Sequence, residues 1–206
     1  MTEANGIEDR AAFHLLGHPL PALIDLASTS GTTVDLFTLS LRHPIMLFVY
    51  PSTASPLRST PSGWSDIPGA SGCTPHLISV ATHLPHLLAK EPQLKVFGLS
   101  TQTHVEQIEA KQRLMLPFDL LSDEKLELTK VLEIPTFELQ GKSYLKRMTL
   151  LLNGGQITRL DYPIRNPEEA PKQAQGLLRT EQELMDEVHA RDAAAAAAAA
   201  AADVQA

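Results

Sequence analysis

The chain has 206 residues, 43% of them hydrophobic and 20% charged, which is the composition of an ordinary globular protein and excludes a disordered or fibrous one. The formal net charge is −7 and the lysines and arginines are scattered, so we expect no nucleic-acid partner. No apolar run approaches the roughly 18 to 20 residues that a membrane-spanning helix needs, so we expect no membrane partner either.

A single cysteine cannot form an internal disulfide, and the first residues lack the basic and apolar regions of a signal peptide. Both features favour a reducing compartment, and we expect the protein to be cytoplasmic. We divide the chain into an N-terminal tail over residues 1–17, one domain over residues 18–192 and a low-complexity tail over residues 193–206. The last tail begins with a run of alanines, to which we assign no function.

The first half of the domain predicts a buried strand, a long loop and an amphipathic helix. Residues 44–50 form an apolar run ended by a proline, which is typical of a central strand covered on both faces. Residues 51–68 are rich in Ser, Thr, Pro and Gly and contain the only tryptophan, Trp64; we interpret this segment as a functional loop. Apolar residues recur at helical spacing over residues 75–90, so one face of this helix packs on a sheet, and Pro85 is expected to kink it.

The second half alternates strands with helices before it ends in a hairpin and a helix. The alternation implies parallel strands, and Asn-Gly-Gly at residues 153–155 is a strong signal for a hairpin turn. Val105, Ile108 and Met115 are predicted to share the buried face of the first of these helices. The predicted elements are a strand at residues 94–99, a helix near 103–115, a strand at 118–121, a helix at 123–133, a hairpin of 146–152 and 156–162, and a C-terminal helix that starts at 166–169 and buries Leu177, Leu178, Leu184, Met185 and Val188.

The one cysteine, Cys73, comes after the loop and directly before the predicted helix. Pro75 lies in the first turn, where proline is favoured because its missing N–H would be unpaired in any case, so Cys73 falls at the helix N-terminus. Unpaired backbone N–H groups and the positive end of the helix dipole favour a thiolate there, which is the reactive form of cysteine. The alternative is that Cys73 is simply a small buried hydrophobic residue.

The order of these elements, which is that of the thioredoxin fold, and several short segments together resemble a peroxiredoxin of the alkyl hydroperoxide reductase and bacterioferritin comigratory protein branch. The likeness covers roughly residues 18 to 180, and its segments are residues 49–51, 72–74, 96–100, 117–123 and 146–150 with the turn 153–155 behind them. The resemblance implies an α/β protein with a thioredoxin-like fold, in which a central mixed β-sheet has helices on both faces.

The function that the resemblance implies is that of a thiol peroxidase, which needs no cofactor and no metal. Cys73 would attack the peroxide as a thiolate and become a sulfenic acid. Arg147 matches the family's active-site arginine; its charge would stabilise the thiolate and its planar donors would orient the peroxide. The position that often holds a resolving cysteine in this branch is Ile78, so the reductant would be an external thiol such as thioredoxin, a glutaredoxin or glutathione, or a second copy of Cys73 in a homodimer.

The sequence departs from the family pattern around the cysteine. Asp66 and Ala70 stand where the branch usually has a proline and a Thr or Ser, and residues 56–70 read as an insertion. His76 stands where the branch is usually acidic. It could modulate the site near neutral pH, but a histidine in a first helical turn is more often exposed, and we expect exposure here. Pro68 either shields the thiolate or is a simple turn proline, and the missing hydroxyl must come from elsewhere. The candidates for that hydroxyl are Thr53, Ser55, Ser71 and Thr74, each of which can also be an ordinary turn residue or, for Thr74, a helix cap.

Three other functions are compatible with parts of the sequence. His76, His83 and His86 can be joined with Cys73 into a zinc site, although no second cysteine or paired carboxylate supports it. Residues 134–137 resemble the proline turn of thioredoxins, but a disulfide oxidoreductase needs a second cysteine near the first. The main alternative is a catalytically weak thioredoxin-fold redox sensor or interaction module, which the missing hydroxyl and the insertion motivate.

Overall fold

The computed structural model describes residues 9–55 and 59–180, together with residues 182, 183, 185, 186, 189 and 191. Within them the strands are β1 Asp25–Ser28, β2 Thr33–Asp35, β3 Ile45–Val49, β4 Lys95–Ser100, β5 Asp119–Ser122, β6 Thr136–Leu139, β7 Lys142–Leu145, β8 Met148–Asn153 and β9 Gln156–Asp161. The helices are α1 Leu36–Ser40, α2 Cys73–Lys90, α3 His104–Leu114, α4 Glu127–Leu132 and α5 Ala170–Leu177, with 3-10 turns at Phe13–Leu15 and Trp64–Asp66. Among these described helices, none is long and apolar enough to cross a membrane.

A mixed sheet of seven strands forms the centre of the described structure, in the order β2-β1-β5-β4-β3-β8-β9. The three central strands β3, β4 and β5 run parallel, because helices α2 and α3 return the chain between them, as the predicted alternation requires. Strands β8 and β9 form the predicted hairpin, and β8 runs antiparallel to β3. The fold class is therefore the one expected: an α/β protein with a central mixed sheet.

Helices cover both faces of this sheet, and each face has its own apolar core. On one face α2 and α3 contribute Leu77 and Ala110, and α5 packs beside α2. On the other face α1 and α4 contribute Leu36 and Leu132. Strand β3 lies between the two cores and all of its residues are buried, which confirms the strand predicted at residues 44–50.

The buried face of α3 differs from the predicted one. Val105 is 76% exposed and Met115 is 85% exposed, whereas Gln107 is fully buried. The Nε2 of Gln107 donates to the Oγ of Ser100 at 3.1 Å and to the carbonyl oxygen of Leu121 at 2.7 Å. Hydrophobic periodicity misses such a face, because a hydrogen-bonded polar side chain is buried without being apolar.

The C-terminal helix begins later than predicted. Helix α5 starts at Ala170 with Glu169 as its N-cap. Asn166, the expected cap, instead closes a turn, since its carbonyl oxygen accepts the N–H of Glu169 at 3.2 Å. Of the side chains expected to be buried, Met185 is 51% exposed, while Leu177 and Leu178 pack against the core on the α2 side.

The packed part of the chain also extends to the N-terminal side of residue 18. Ala12 and Leu15, which lie in the predicted tail, are fully buried in the core on the α1 side, so the tail boundary is placed too late. At the other end, the predicted tail over residues 193–206 and the expected face residues Leu184 and Val188 lie outside the described residues.

Candidate active site

Cys73 is the first residue of α2, as its place before Pro75 predicts. The preceding residue, Gly72, is the helix N-cap and has a φ of 89°, a left-handed conformation that favours glycine. A Cβ at this position would lie 3.0 Å from the Cγ of Pro167, so space as well as conformation requires glycine. This turn places the thiol inside the protein: Cys73 is 3% exposed, and its Sγ lies 3.4 Å from the carbonyl oxygen of Ala70, to which a thiol donates.

Strand pairing in the sheet places Arg147 next to the start of α2. Met148, the first residue of β8, pairs with Val49, the last residue of β3. The chain leaves β3 at this edge of the sheet and returns as α2, whose first residue is Cys73. The carboxyl ends of parallel strands form the usual ligand-binding edge of open α/β sheets. Residues 73 and 147, predicted to be catalytic, therefore meet where a substrate can reach the sheet.

The guanidinium of Arg147 binds the sulfur directly. Its Nη2 donates to the Sγ of Cys73 at 3.1 Å and to the carbonyl oxygens of Ser71 and Gly69 at 2.9 and 3.2 Å. Its Nη1 donates to the Nδ1 of His76 at 2.8 Å. Because Arg147 is only 3% exposed, water screens its charge little, and the charge acts strongly on the neighbouring sulfur.

His76 is completely buried, which corrects the expectation that it is exposed. Helix α2 packs the face that contains Cys73 and Leu77 on the sheet, and His76 lies on that face one turn after the cysteine. Its ring lies edge-on to Phe48 of β3, with 5.8 Å between the ring centroids. Burial, and after it the charge of Arg147, hold the pKa of His76 well below its ordinary value, so the ring is neutral and Nδ1 accepts the arginine hydrogen bond.

A cavity of about 320 Å³ lies beside the thiol, and Trp64 forms part of its wall. Cys73 and all four hydroxyl candidates line it, namely Thr53, Ser55, Ser71 and Thr74. Thr53 is held in place by Gln102, whose Oε1 accepts the threonine Oγ1–H at 3.1 Å and the N–H at 2.8 Å. The cavity thus brings the candidate hydroxyls around the sulfur, and which of them serves a peroxide stays a prediction.

Pro68 lies on the other side of Arg147. It lines a second cavity, of about 520 Å³, together with Ile67, Gly69 and Arg147 itself, whereas the residues around the thiol cavity do not include it. A shielding role for Pro68 stays a prediction, and from this position it would screen the guanidinium rather than the sulfur.

The three histidines proposed for zinc do not converge on the cysteine. His76 is bonded to Arg147, while the Nδ1 of His83 lies 2.9 Å from the carbonyl oxygen of Ser79 in its own helix. The rings of His83 and His86 are 6.1 Å apart. In the described part of the chain, no group of three or more His, Cys, Asp or Glu side chains is placed to hold a metal ion.

Two groups at the site were missed in the sequence. One is Gln102, which is buried and accepts a hydrogen bond from Thr53. It lies just after the carboxyl end of β4, the strand adjacent to β3. A polar residue just after a central parallel strand is a signal for a site, and it could have found Gln102. The other group is the carbonyl of Ala70, and a backbone carbonyl leaves no mark on the sequence.

Solved structures match the chain, although no protein-family model and no curated protein sequence does. Peroxidoxin BcpB from Mycobacterium tuberculosis is 21% identical with a TM-score of 0.62, over 80% of this chain and 96% of that chain. Peroxiredoxin Q from Xanthomonas campestris is 19% identical with a TM-score of 0.59, over 77% of this chain and 94% of that chain. Reduced Prx3 from Vibrio vulnificus in complex with H2O2 is 16% identical with a TM-score of 0.60, over 79% of this chain and 94% of that chain.

These matches span nearly the whole of each solved chain and 77–80% of this one, so the fold is shared over that part of the chain. Sequence identities of this size establish the fold only, so the activity has to be argued from the residues of the site. The chain has the thioredoxin-like fold of the peroxiredoxins, as the resemblance in its sequence predicts.

Proposed function

We propose that this protein is a thiol peroxidase, in which Cys73 reduces hydrogen peroxide or an organic hydroperoxide and an external thiol regenerates it. The observation that carries the proposal is the contact of 3.1 Å between the Nη2 of Arg147 and the Sγ of Cys73, at the start of a helix and beside a cavity. A buried guanidinium at a thiol favours the thiolate, because only the charged form gains a charge-assisted hydrogen bond. The fold shared with peroxiredoxins supports the same chemistry.

The reaction needs only groups that the chain and two substrates supply. The thiolate of Cys73 attacks one oxygen of ROOH; an S–O bond forms as the O–O bond breaks, and RO⁻ leaves and takes a proton from solvent to become ROH. Cys73 is thereby oxidised to a sulfenic acid. An external thiol attacks that sulfur and releases water, and a second thiol then displaces Cys73 as the two reductant sulfurs join in a disulfide.

Within this proposal, the Arg147 donors and the backbone N–H groups at Gly72 and Cys73 stabilise the charge on the departing oxygen. Hydroxyl groups around the thiol cavity bind the peroxide, and the lining of serines and threonines suits a small hydrophilic peroxide. The neighbour from Vibrio vulnificus was solved with H2O2, which makes hydrogen peroxide the first substrate to test. The proposed supporting residues are Thr53, Ser55, Ser71 and Thr74 at the sulfur and Pro68 behind the arginine.

The reductant is proposed from the cysteine count. Since the sequence holds one cysteine, the second thiol comes from another molecule: thioredoxin, a glutaredoxin, glutathione or Cys73 of a second copy in a homodimer. The same cysteine usage supports a reducing, cytoplasmic location. The proposed peroxidase activity would give the protein an antioxidant role in cell redox homeostasis there.

The test is stopped-flow oxidation by hydrogen peroxide, with the wild type beside Cys73→Ser. Trp64 is the only tryptophan and lines the same cavity as the thiol, so its fluorescence reports the reaction. We expect the wild type to react orders of magnitude faster than free cysteine and mass spectrometry to find sulfenic acid at Cys73 alone. A rate no faster than that of free cysteine would remove the peroxidase proposal.

One observation favours a second candidate, a redox sensor or interaction module without rapid turnover. Ala70 stands where the branch has a hydroxyl, and in the thiol form Cys73 donates to the carbonyl oxygen of Ala70 rather than to a side chain. A sensor needs slow, selective oxidation instead of speed. Slow formation of sulfenic acid at Cys73, with no catalytic consumption of peroxide in the presence of thiols, would support this candidate.

A further inference from the structure

We propose that His76 is a positioning residue, which holds the Arg147 guanidinium at Cys73 as a neutral hydrogen-bond acceptor and so leaves the arginine's full positive charge to the sulfur. The proposal rests on the contact between the arginine and the cysteine, and it holds whether or not a peroxide is the substrate. It concerns a residue that touches neither the sulfur nor a substrate and acts through Arg147.

Both the backbone and the ring of His76 are held in place. Its backbone N–H donates to the carbonyl oxygen of Gly72 at 3.0 Å within the first turn of α2, and its ring packs edge-on to Phe48. Its Nδ1 is therefore held 2.8 Å from the Nη1 of Arg147. Among the described residues, the other partners of Arg147 are the two loop carbonyls and the sulfur, all bound through Nη2. His76 is therefore the side chain that orients the other amino group of the guanidinium, Nη1.

The charge of the group that accepts the Nη1 hydrogen bond determines how strongly the Arg147 guanidinium attracts a thiolate at Cys73. Among the described residues, no carboxylate contacts the Arg147 guanidinium. A carboxylate at position 76 would neutralise much of the guanidinium charge, since opposite charges in contact interact strongly in a buried site. A neutral imidazole orients the same N–H group without that neutralisation.

Burial and the charge of Arg147 keep the ring neutral. Burial holds the pKa of His76 well below its usual range, and Arg147 lowers it further because it disfavours a second positive charge. Across the sheet, Thr149 of β8 pairs with Phe48, and Asp161 of β9 pairs with Thr149. Burial raises the pKa of Asp161, and Tyr50, in the same core as Cys73, has its pKa raised by burial as well. With Nδ1 accepting, the ring proton lies on Nε2, which has no partner among the described residues.

Three variants of His76 separate positioning from packing. His76→Gln keeps a neutral acceptor, His76→Glu supplies a charged one, and His76→Leu removes the acceptor. The measurement is the rate of Cys73 alkylation by iodoacetamide against pH, which follows the thiolate and needs no peroxide, with circular dichroism to show that each variant is folded. We expect the Gln variant to keep the wild-type midpoint, and the Glu variant to move it to higher pH and to react about tenfold more slowly at pH 7. We expect the Leu variant to react more slowly than the Gln variant, because the guanidinium loses one of its anchors.

The same changes in an Arg147→Met background test whether His76 acts through the arginine. There we expect Gln and Leu at position 76 to give the same alkylation profile, since the group that His76 positions is gone. The Glu variant is left out of this comparison, because a carboxylate one turn from Cys73 also disfavours the thiolate directly. His86→Gln, an exposed histidine of the same helix, is the matched control and should keep the wild-type profile in both backgrounds. Equal profiles for the Gln and Leu variants in the wild-type background would overturn the proposal, as would an unshifted Glu profile in a folded variant. Because alkylation and peroxide oxidation are measured separately, a slow peroxide reaction would remove the peroxidase and leave this result standing.

Discussion

The buried sulfur of Cys73 accepts a hydrogen bond from the Arg147 guanidinium, whereas an exposed thiolate accepts its hydrogen bonds from water. Arg147 is buried, and its described partners are carbonyl oxygens, a neutral imidazole and the sulfur. A buried charge without an opposite charge is unfavourable by several kcal/mol. In the proposed reaction, the thiolate of Cys73 supplies that opposite charge.

Replacing Arg147 by Met tests this pair directly. Without the positive charge and the planar donors, we expect less thiolate at neutral pH and a rate of oxidation by hydrogen peroxide at least about tenfold lower. Arg147→Lys is the matched variant, because it keeps the charge but not the planar pair of donors. Its oxidation rate should lie between those of the wild type and the Met variant. Stopped-flow fluorescence of Trp64 gives both rates; an unchanged rate in the Met variant would exclude Arg147 from the mechanism.

His76 also makes folding stability depend on pH. Its pKa is lower in the folded protein than in the unfolded chain, so below about pH 6.5 the unfolded state binds a proton that the folded state excludes. Stability from this group is therefore complete above that pH and falls as the pH decreases, by at most about 1.4 kcal/mol per pH unit for one proton. Urea unfolding at pH 7 and pH 5 should show a smaller loss for His76→Gln than for the wild type, while His86→Gln keeps the wild-type loss. Equal losses for all three proteins would contradict the burial of a neutral His76.

At the scale of elements, the site depends on how α2 begins. The left-handed Gly72 turns the chain into the helix, and the segment that leads to α5 packs against it through Pro167. Helix α2 then fixes the cysteine, while β8 fixes the arginine, and the two elements meet because β8 pairs with the strand that leads into the loop before α2.

Gly72→Ala should disturb that turn. We expect a loss of stability of about 2 kcal/mol or more, because the left-handed conformation is unfavourable for alanine and its Cβ would crowd Pro167. Gly31→Ala is the control, since Gly31 has a similar φ of +84° and open space around it; its loss should be about 1 kcal/mol, with normal Cys73 alkylation. Chemical denaturation measures the stabilities. If both variants lose the same amount and both keep normal alkylation, the contact with Pro167 is unimportant.

At the scale of the whole molecule, an aromatic cluster attaches the cavity wall to the β6–β7 hairpin. The Trp64 ring lies 4.9 Å from the Tyr144 ring and 5.8 Å from the Phe137 ring, centroid to centroid. Trp64 belongs to the loop beside the thiol, and the two other rings belong to the hairpin, which is separate from the central sheet. The loop is therefore held by a part of the fold that does not carry the reacting groups.

Tyr144→Ala should loosen this wall. We expect the emission of Trp64 to shift to longer wavelength, stability to fall by about 3 kcal/mol, and alkylation of Cys73 by a bulky maleimide to become faster. Phe13→Ala, at a half-exposed ring on the α1 side, is the control and should leave the Trp64 emission unchanged. Fluorescence spectra and alkylation rates are measured on the same samples. An unshifted emission in Tyr144→Ala would mean that the cluster does not hold the loop.

Short-range patterns predicted the strongest elements and missed the weaker ones. Strand β3, helix α2 and the β8–β9 hairpin each have a long apolar run, helical spacing or a turn signal within a few residues. Strands β1 and β2, helix α1 and the β6–β7 hairpin are short and partly exposed, so their apolar patterns are weak. The buried face of α3 was mispredicted because Gln107 is stabilised by hydrogen bonds rather than by apolar contacts.

By itself, the sequence determined the order of the strongest elements and the place of Cys73 at the start of a helix, because periodicity, prolines and turn residues act over a few residues. Its resemblance to peroxiredoxins added Arg147. Only the tertiary structure decided that His76 faces Arg147, that Gln102 holds Thr53 and that Pro68 lies behind the arginine. These contacts depend on strand pairing and on the rotation of α2 against the sheet, which join residues far apart in the chain and leave no local pattern.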